Sequence, residues 1–297
     1  MNEAPIGVMD SGVGGLTVVS ELWRQLPRES VLFYGDSARC PYGDRDTREI
    51  RAFTLAALDG LVNMGVKMLV IACNTATAVC LPEARARYDV PVIGVIEPGA
   101  RAALAATRSK RIGVIGTRAT VASGAYDAAL LRQDGEVIAH AHACPGLVEL
   151  VEQGASAPAR LAAVTRCLAP LRDADIDTLI LGCTHYPLLT EEIARVAGPS
   201  VSLISSAEEA AREVGQVLFS QGLQRMDDPL RQHVLMTSGD IATFCSIAGA
   251  WLQGRVSVCH ADAVEGRWPE QSRTWGHVAE GRWRVVGTGA RQGSGLA

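Results

Sequence analysis

Continuous apolar runs recur along the chain at IGVMD (6–10), VLFYG (31–35), MLVIAC (68–73), VPVIGV (90–95), IGVIG (112–116) and TLILGC (178–183). Each is short, bounded by turn residues and apolar throughout rather than at alternate positions. That is the pattern of a strand covered on both faces. Longer stretches between them carry apolar residues at helical spacing, for example Thr47 to Met64 and Pro158 to Leu171. Strands alternating with helices predict an α/β fold in which helices cover both faces of mostly parallel sheets.

The pattern occurs twice. IGVMDSGVGG (6–15) is similar to IGVIGTRATV (112–121), and MLVIACNTAT (68–77) is similar to TLILGCTHYP (178–187). The shift is 106 positions from Ile6 to Ile112 and 110 from Cys73 to Cys183. Two similar doubly wound lobes are therefore expected, with the ligand beyond the carboxyl ends of the strands. Residues 266–297 break the pattern: they hold three of the five Trp residues, no Lys, and most of two EGRW strings (265–268 and 280–283). This segment reads as a poorly ordered tail, with a short hairpin packed on a lobe or a partner as the alternative.

Composition narrows the function classes. With 48% apolar and 20% charged residues, a chain of 297 residues can bury two sizeable cores. Its 28 basic and 32 acidic residues, with no long Lys/Arg cluster, argue against nucleic acid as a partner. The start lacks the charged and apolar regions of a signal peptide, and no stretch approaches the ~20 apolar residues of a membrane span. A cytoplasmic protein without membrane partners is expected. The eight scattered cysteines (40, 73, 80, 144, 167, 183, 245 and 259) are accordingly expected to be reduced thiols. No CxxC pair or close Cys/His cluster has the spacing of a metal site.

Several positions could carry chemistry. Asp10 heads DSGVGG (10–15), a glycine turn that lets backbone approach a ligand before a helix, although GxGxxG and the Walker pattern are both absent. Cys73 stands between a strand and Asn-Thr-Ala-Thr, at a helix N-terminus whose partial positive charge favours thiolate. Cys183 stands in the same context, with His185 two residues on and Pro187 suited to a first helical turn. Either cysteine alone reads as core filling. The matched pair instead suits proton transfer at one carbon from opposite faces. CPYG (40–43) and GTRATVAS (116–123) could clasp a carboxylate with backbone or hydroxyl donors, and Glu152 in LVEQG (150–154) is an acidic candidate.

DSGVGGLTV (10–18), YGD (34–36) with PYG (41–43), CNTATA (73–78), GVIEPG (94–99), GTRATV (116–121) and LGCTHYPLL (181–189) together resemble glutamate racemase, of the aspartate/glutamate racemase family, over about residues 6–252. The resemblance implies two α/β lobes around a shared cleft, no cofactor and no metal. It implies Cys73 and Cys183 as the catalytic acid/base pair, assisted by Asp10 near Cys73 and by Glu152 and His185 on the Cys183 side. The implied substrate-binding positions are Asp10, Ser11, Tyr42, Gly43, Asn74, Thr75, Thr117, Thr184 and His185. The implied lobes are 1–97 with 207–265, and 98–206, followed by the tail 266–297.

Glutamate is the implied small-molecule substrate, and racemization would supply D-glutamate to a cell wall. Assembly as a homodimer is left open. The chain departs from the family at Glu149, where relatives commonly carry Pro or another uncharged residue. Competing readings are aspartate racemase or another isomerase of the group, a thiol hydrolase built on Cys183 and His185, and a non-catalytic binding protein.

Overall fold

The computed structural model describes residues 2–226, 233–252, 261–265 and 284–289. Its strands are β1 (Ile6–Asp10), β2 (Val31–Gly35), β3 (Met68–Ile71), β4 (Val92–Gly94), β5 (Arg111–Gly116), β6 (Ile138–Ala143), β7 (Thr178–Gly182), β8 (Ser202–Ser205), β9 (Val234–Thr237), β10 (Ala261–Glu265) and β11 (Arg284–Gly289). Its α-helices are α1 (Leu16–Gln25), α2 (Thr47–Asn63), α3 (Asn74–Arg87), α4 (Ile96–Ala106), α5 (Arg118–Ala122), α6 (Ala125–Gln133), α7 (Leu147–Glu152), α8 (Ala157–Leu168), α9 (Thr190–Ala197), α10 (Ser206–Ser220) and α11 (Ile241–Trp251). Among the described residues no helix is long and apolar enough to cross a membrane.

Two sheets form, both parallel at every described pairing: β10-β11-β9-β2-β1-β3-β4 and β6-β5-β7-β8. The order β2-β1-β3-β4 recurs as β6-β5-β7-β8, so the repeat in the sequence is a repeat in topology. It extends to register. Ile6 pairs with Met68 in the first sheet, and Ile112 pairs with Thr178 in the second. Each cysteine of interest lies five positions beyond the second member of its pair, so Cys73 and Cys183 occupy equivalent points of the two lobes.

Each sheet is buried on both sides, which explains the unbroken apolar runs. Along β1, Ile6 and Val8 pack with Leu16, Val19 and Leu22 of α1 and with Val214 and Leu218 of α10, while Met9 faces Leu58 and Leu61 of α2. In the second sheet Ile115, Leu179 and Leu181 pack with Val164 and Leu168 of α8, whereas Ile112, Val114 and Ile180 pack with Ala100 and Ala103 of α4 and Leu130 of α6.

Within the tail, Arg284–Gly289 forms β11, which pairs in parallel with β9 and β10. Its backbone satisfies the outer edge that β9 would otherwise leave unpaired. The rest of the tail lies outside the described residues. The cysteines are not all reduced. Cys144, next after β6, and Cys167 of α8 form a disulfide across a Cα separation of 5.3 Å, and Cys245 of α11 is disulfide-bonded too. Cys144 and Cys167 belong to one core cluster, which brings them within bridging reach. Cys40, Cys73, Cys80 and Cys183 remain free thiols.

Candidate active site

Equivalent strand ends in the two lobes deliver the two thiols. Cys73 caps α3, where its sulfur accepts from the Ala76 N–H at 3.5 Å and lies 3.5 Å from Ser11 Oγ. Cys183 follows β7 directly, with Sγ 3.8 Å from His185 Nδ1. Both are nearly buried, and both line one cavity of about 270 Å³. Its other walls are Ser11, Pro41, Tyr42, Gly43, Asn74, Thr75, Thr117, Val148, Thr184 and His185. Every expected substrate-binding position except Asp10 lines this space.

The Cys183 side is a charged relay. His185 Nε2 lies 2.9 Å from Glu152 Oε1, at the carboxyl end of α7, while Nδ1 faces the sulfur. Burial pulls the imidazole toward its neutral form, but the bonds to Cys183 and Glu152 outweigh it and raise the pKa from 6.5 to about 10. The ring therefore holds its proton at neutral pH, and an imidazolium beside sulfur is the arrangement that activates cysteines. Burial works to raise the Glu152 pKa, yet the His185 bond and charge, with the Cys40 thiol, bring it below its ordinary value. It is Glu152, and not Glu149, that meets His185.

Cys73 itself is a neutral thiol. Burial, with the neighbouring Asp10 charge, raises its thiol from 9.0 to about 12, against the lowering effect of Ser11 and of the Ala76 N–H. Asp10 is itself fully buried and does not line the cavity. Its Oδ2 accepts from the Gly12 N–H at 3.0 Å and its Oδ1 from Thr184 Oγ1 at 3.3 Å. Burial raises its pKa from 3.8 to about 6, partly offset by His185, the Gly12 and Gly15 N–H groups and Thr184. Asp10 and Glu152 thus stand behind the cavity wall, where each touches a residue that lines it.

Hydroxyls and the Asn74 carboxamide supply further polar surface. Thr75, Thr117 and Thr120 form a triangle of hydrogen bonds at 2.8, 3.1 and 2.9 Å that joins α3 to α5. Tyr42 donates its hydroxyl to Asp36 Oδ2 at 2.6 Å, which ties its side chain to the end of β2. Gly14 is required for close approach. A Cβ there would stand 2.4 Å from Thr184 Oγ1 and 2.5 Å from the His185 ring.

Three contributors were not foreseen as site residues. Cys40 donates its thiol to Glu152 Oε1 at 3.4 Å, Thr120 completes the hydroxyl triangle, and Trp251 meets the His185 ring edge-on at 6.0 Å. Cys40 adjoins the PYG turn and Thr120 lies in the hydroxyl-rich string, so both had a local signal. Trp251 comes from the far end of the chain and had none.

Residues 6–214 match the family model for Asp/Glu/hydantoin racemases. A glutamate racemase of Exiguobacterium sibiricum is 54% identical over 83% of this chain and 92% of its own length. The crystal structure of a glutamate racemase isoform from Bacillus anthracis superposes with a TM-score of 0.83 at 45% identity, covering 85% of this chain and 95% of that one. The glutamate racemase of Francisella tularensis, solved in complex with D-glutamate, gives a TM-score of 0.79 at 32% identity, with coverage of 85% and 95%. With two parallel α/β lobes and matches of this extent, the chain belongs to the Asp/Glu/hydantoin racemase family.

Proposed function

We propose that this chain interconverts L- and D-glutamate by a two-base proton transfer at Cα without a cofactor, as a cytoplasmic enzyme that supplies D-glutamate for peptidoglycan. The observation that carries the reading is the pair of thiols at equivalent points of the two lobes, lining one cavity. The identity to glutamate racemases and the D-glutamate complex of one of them support glutamate as the substrate. The lobes are proposed as residues 1–97 with 207 onward, and 98–206.

In the unliganded site His185 is protonated beside Cys183, and Cys73 is a thiol. With Cα between the sulfurs, the Cys183 thiolate takes the Cα proton, and the electron pair delocalises into the α-carboxylate. Donors around that carboxylate stabilise the developing charge, with Thr75, Thr117 and Thr184 as candidates. The Cys73 thiol then delivers its proton to the opposite face, leaving the other enantiomer, a Cys73 thiolate and a Cys183 thiol. The reverse reaction starts from that form. His185, oriented by Glu152, offsets the charge on sulfur while Cys183 is the thiolate.

The test is loss of circular dichroism from L-glutamate, D-glutamate and each aspartate enantiomer, with a parallel reaction in deuterated water. Racemization of glutamate with deuterium at Cα of the product supports the proposal. Turnover of aspartate alone assigns the chain to another isomerase of the group. A trapped acyl-enzyme without Cα exchange assigns it to hydrolysis.

A further inference from the structure

One buried hydroxyl against the cavity wall has no part in the chemistry above. Tyr126, in α6, is 3% exposed. Asn74 Nδ2 donates to its phenolic oxygen at 2.7 Å, and that oxygen shares a 2.9 Å hydrogen bond with Ser206 Oγ. Asn74 follows Cys73 and lines the cavity. Ser206 opens α10 and is wedged against α4, where a Cβ on Gly99 would stand 2.5 Å from its Oγ. The Tyr126 ring is clamped too, since a Cβ on Gly182 would come within 3.0 Å of it. A fixed hydroxyl from the second lobe therefore holds the first side chain after Cys73.

We infer that Tyr126 is a positioning residue that acts on substrate through Asn74. A carboxamide carries two N–H donors and one carbonyl acceptor. By taking one N–H, Tyr126 fixes the amide plane and leaves Oδ1 and the second N–H available to the amino acid's ammonium or carboxylate. Without the phenol, a buried N–H loses its partner and the amide turns to find another, so substrate must reorient it on binding. The inference rests on the racemase reading, and in particular on contact between Asn74 and the substrate.

The experiment is a double-mutant cycle of Tyr126→Phe and Asn74→Ala, with steady-state kinetics on whichever of glutamate or aspartate the wild type turns over. Phe keeps the clamped ring and removes only the hydroxyl. Expected is a rise in KM of about tenfold for Tyr126→Phe with a much smaller change in kcat. In the double mutant KM should equal that of Asn74→Ala alone, which a purely structural role would not produce. Ser206→Ala should raise KM in the same direction by less, and it reads the same chain if Tyr126→Phe fails to fold. Unchanged KM in the single variants, or effects that multiply in the cycle, overturns the inference while the function stands. A wild type that turns over neither amino acid overturns both.

Discussion

Asp10 links fold stability to activity in a way one substitution can expose. Its pKa lies near 6 in the folded protein against 3.8 as the ordinary value, with burial as the main cause. A carboxyl whose folded pKa is raised favours the fold when protonated. That contribution is fully present below about pH 3.8 and is lost as pH rises through 6. Ionised Asp10 at pH 8 therefore costs the fold about 3 kcal/mol, at ~1.36 kcal/mol per pH unit. Asp10→Asn mimics the protonated form at every pH. Its carbonyl can accept from the Gly12 N–H, and Thr184 Oγ1, which now donates to Asp10, can rotate to accept from the new amide.

The variant should thus melt above the wild type at pH 8 by roughly 5 °C. The difference should persist at pH 6, shrink between pH 6 and pH 4 and fall to about 1 °C near pH 4, while kcat at pH 8 falls, because Asp10 holds the Thr184 hydroxyl that lines the cavity. Differential scanning calorimetry across pH 4–8, paired with the racemization assay, measures both. A variant that melts below the wild type at pH 8, or a difference that does not change with pH, would refute the reasoning that burial of the charge dominates this site.

Other expectations follow from the same neighbourhood. Glu152→Gln removes one of the two charges that hold the His185 proton, so the alkaline limb of kcat/KM, set near 10 by His185, should move toward 6.5 by about one pH unit or more; an unmoved limb in the pH-rate profile contradicts the relay. With Cys73 raised to about 12, only about 1 in 10⁴ of its molecules is thiolate at pH 8, so iodoacetamide should label Cys73 far more slowly than a free cysteine by peptide mass spectrometry; labelling at the rate of a free thiol counts against the neutral Cys73 thiol. Titration of the denatured, unreduced protein with a thiol reagent should modify Cys40, Cys73, Cys80 and Cys183, and Cys144 and Cys167 should react only after reduction.

How far the sequence carried depends on the kind of signal each element left. β1 and β2 begin and end at the limits of their apolar runs because every residue in them is buried. β6, with IAHAHA, and β8, with SLIS, border the second sheet and are partly exposed, so neither shows a continuous apolar run. β9 is fully buried but only four residues long, too short a run to stand out. β11 joins the sheet through backbone pairing, which leaves little trace in side-chain pattern. In the site, the cysteines were legible because the repeat duplicates their context. The withdrawal of Asp10 behind the wall, the turn of the Tyr42 hydroxyl toward Asp36 and the approach of Trp251 to His185 all depend on tertiary packing between distant segments.

The repeat also sharpens what asymmetry can accomplish here. Two equivalent backbone positions present thiols in unlike surroundings: Cys73 among hydroxyls and a buried carboxyl, Cys183 beside an imidazolium. Enantiomers have equal free energy in water, so their equilibrium constant is one, and kcat/KM must be the same in both directions for any arrangement of neighbours. The unlike surroundings can therefore shift only how each direction divides that shared quantity between kcat and KM. The direction that begins at Cys73 must carry the cost of ionising a thiol whose pKa is about 12, unless bound substrate lowers that cost, and the other begins with a proton already on His185. A pseudo-symmetric pair of lobes is thus compatible with strongly unequal bases, because thermodynamics constrains the ratio and leaves each term free.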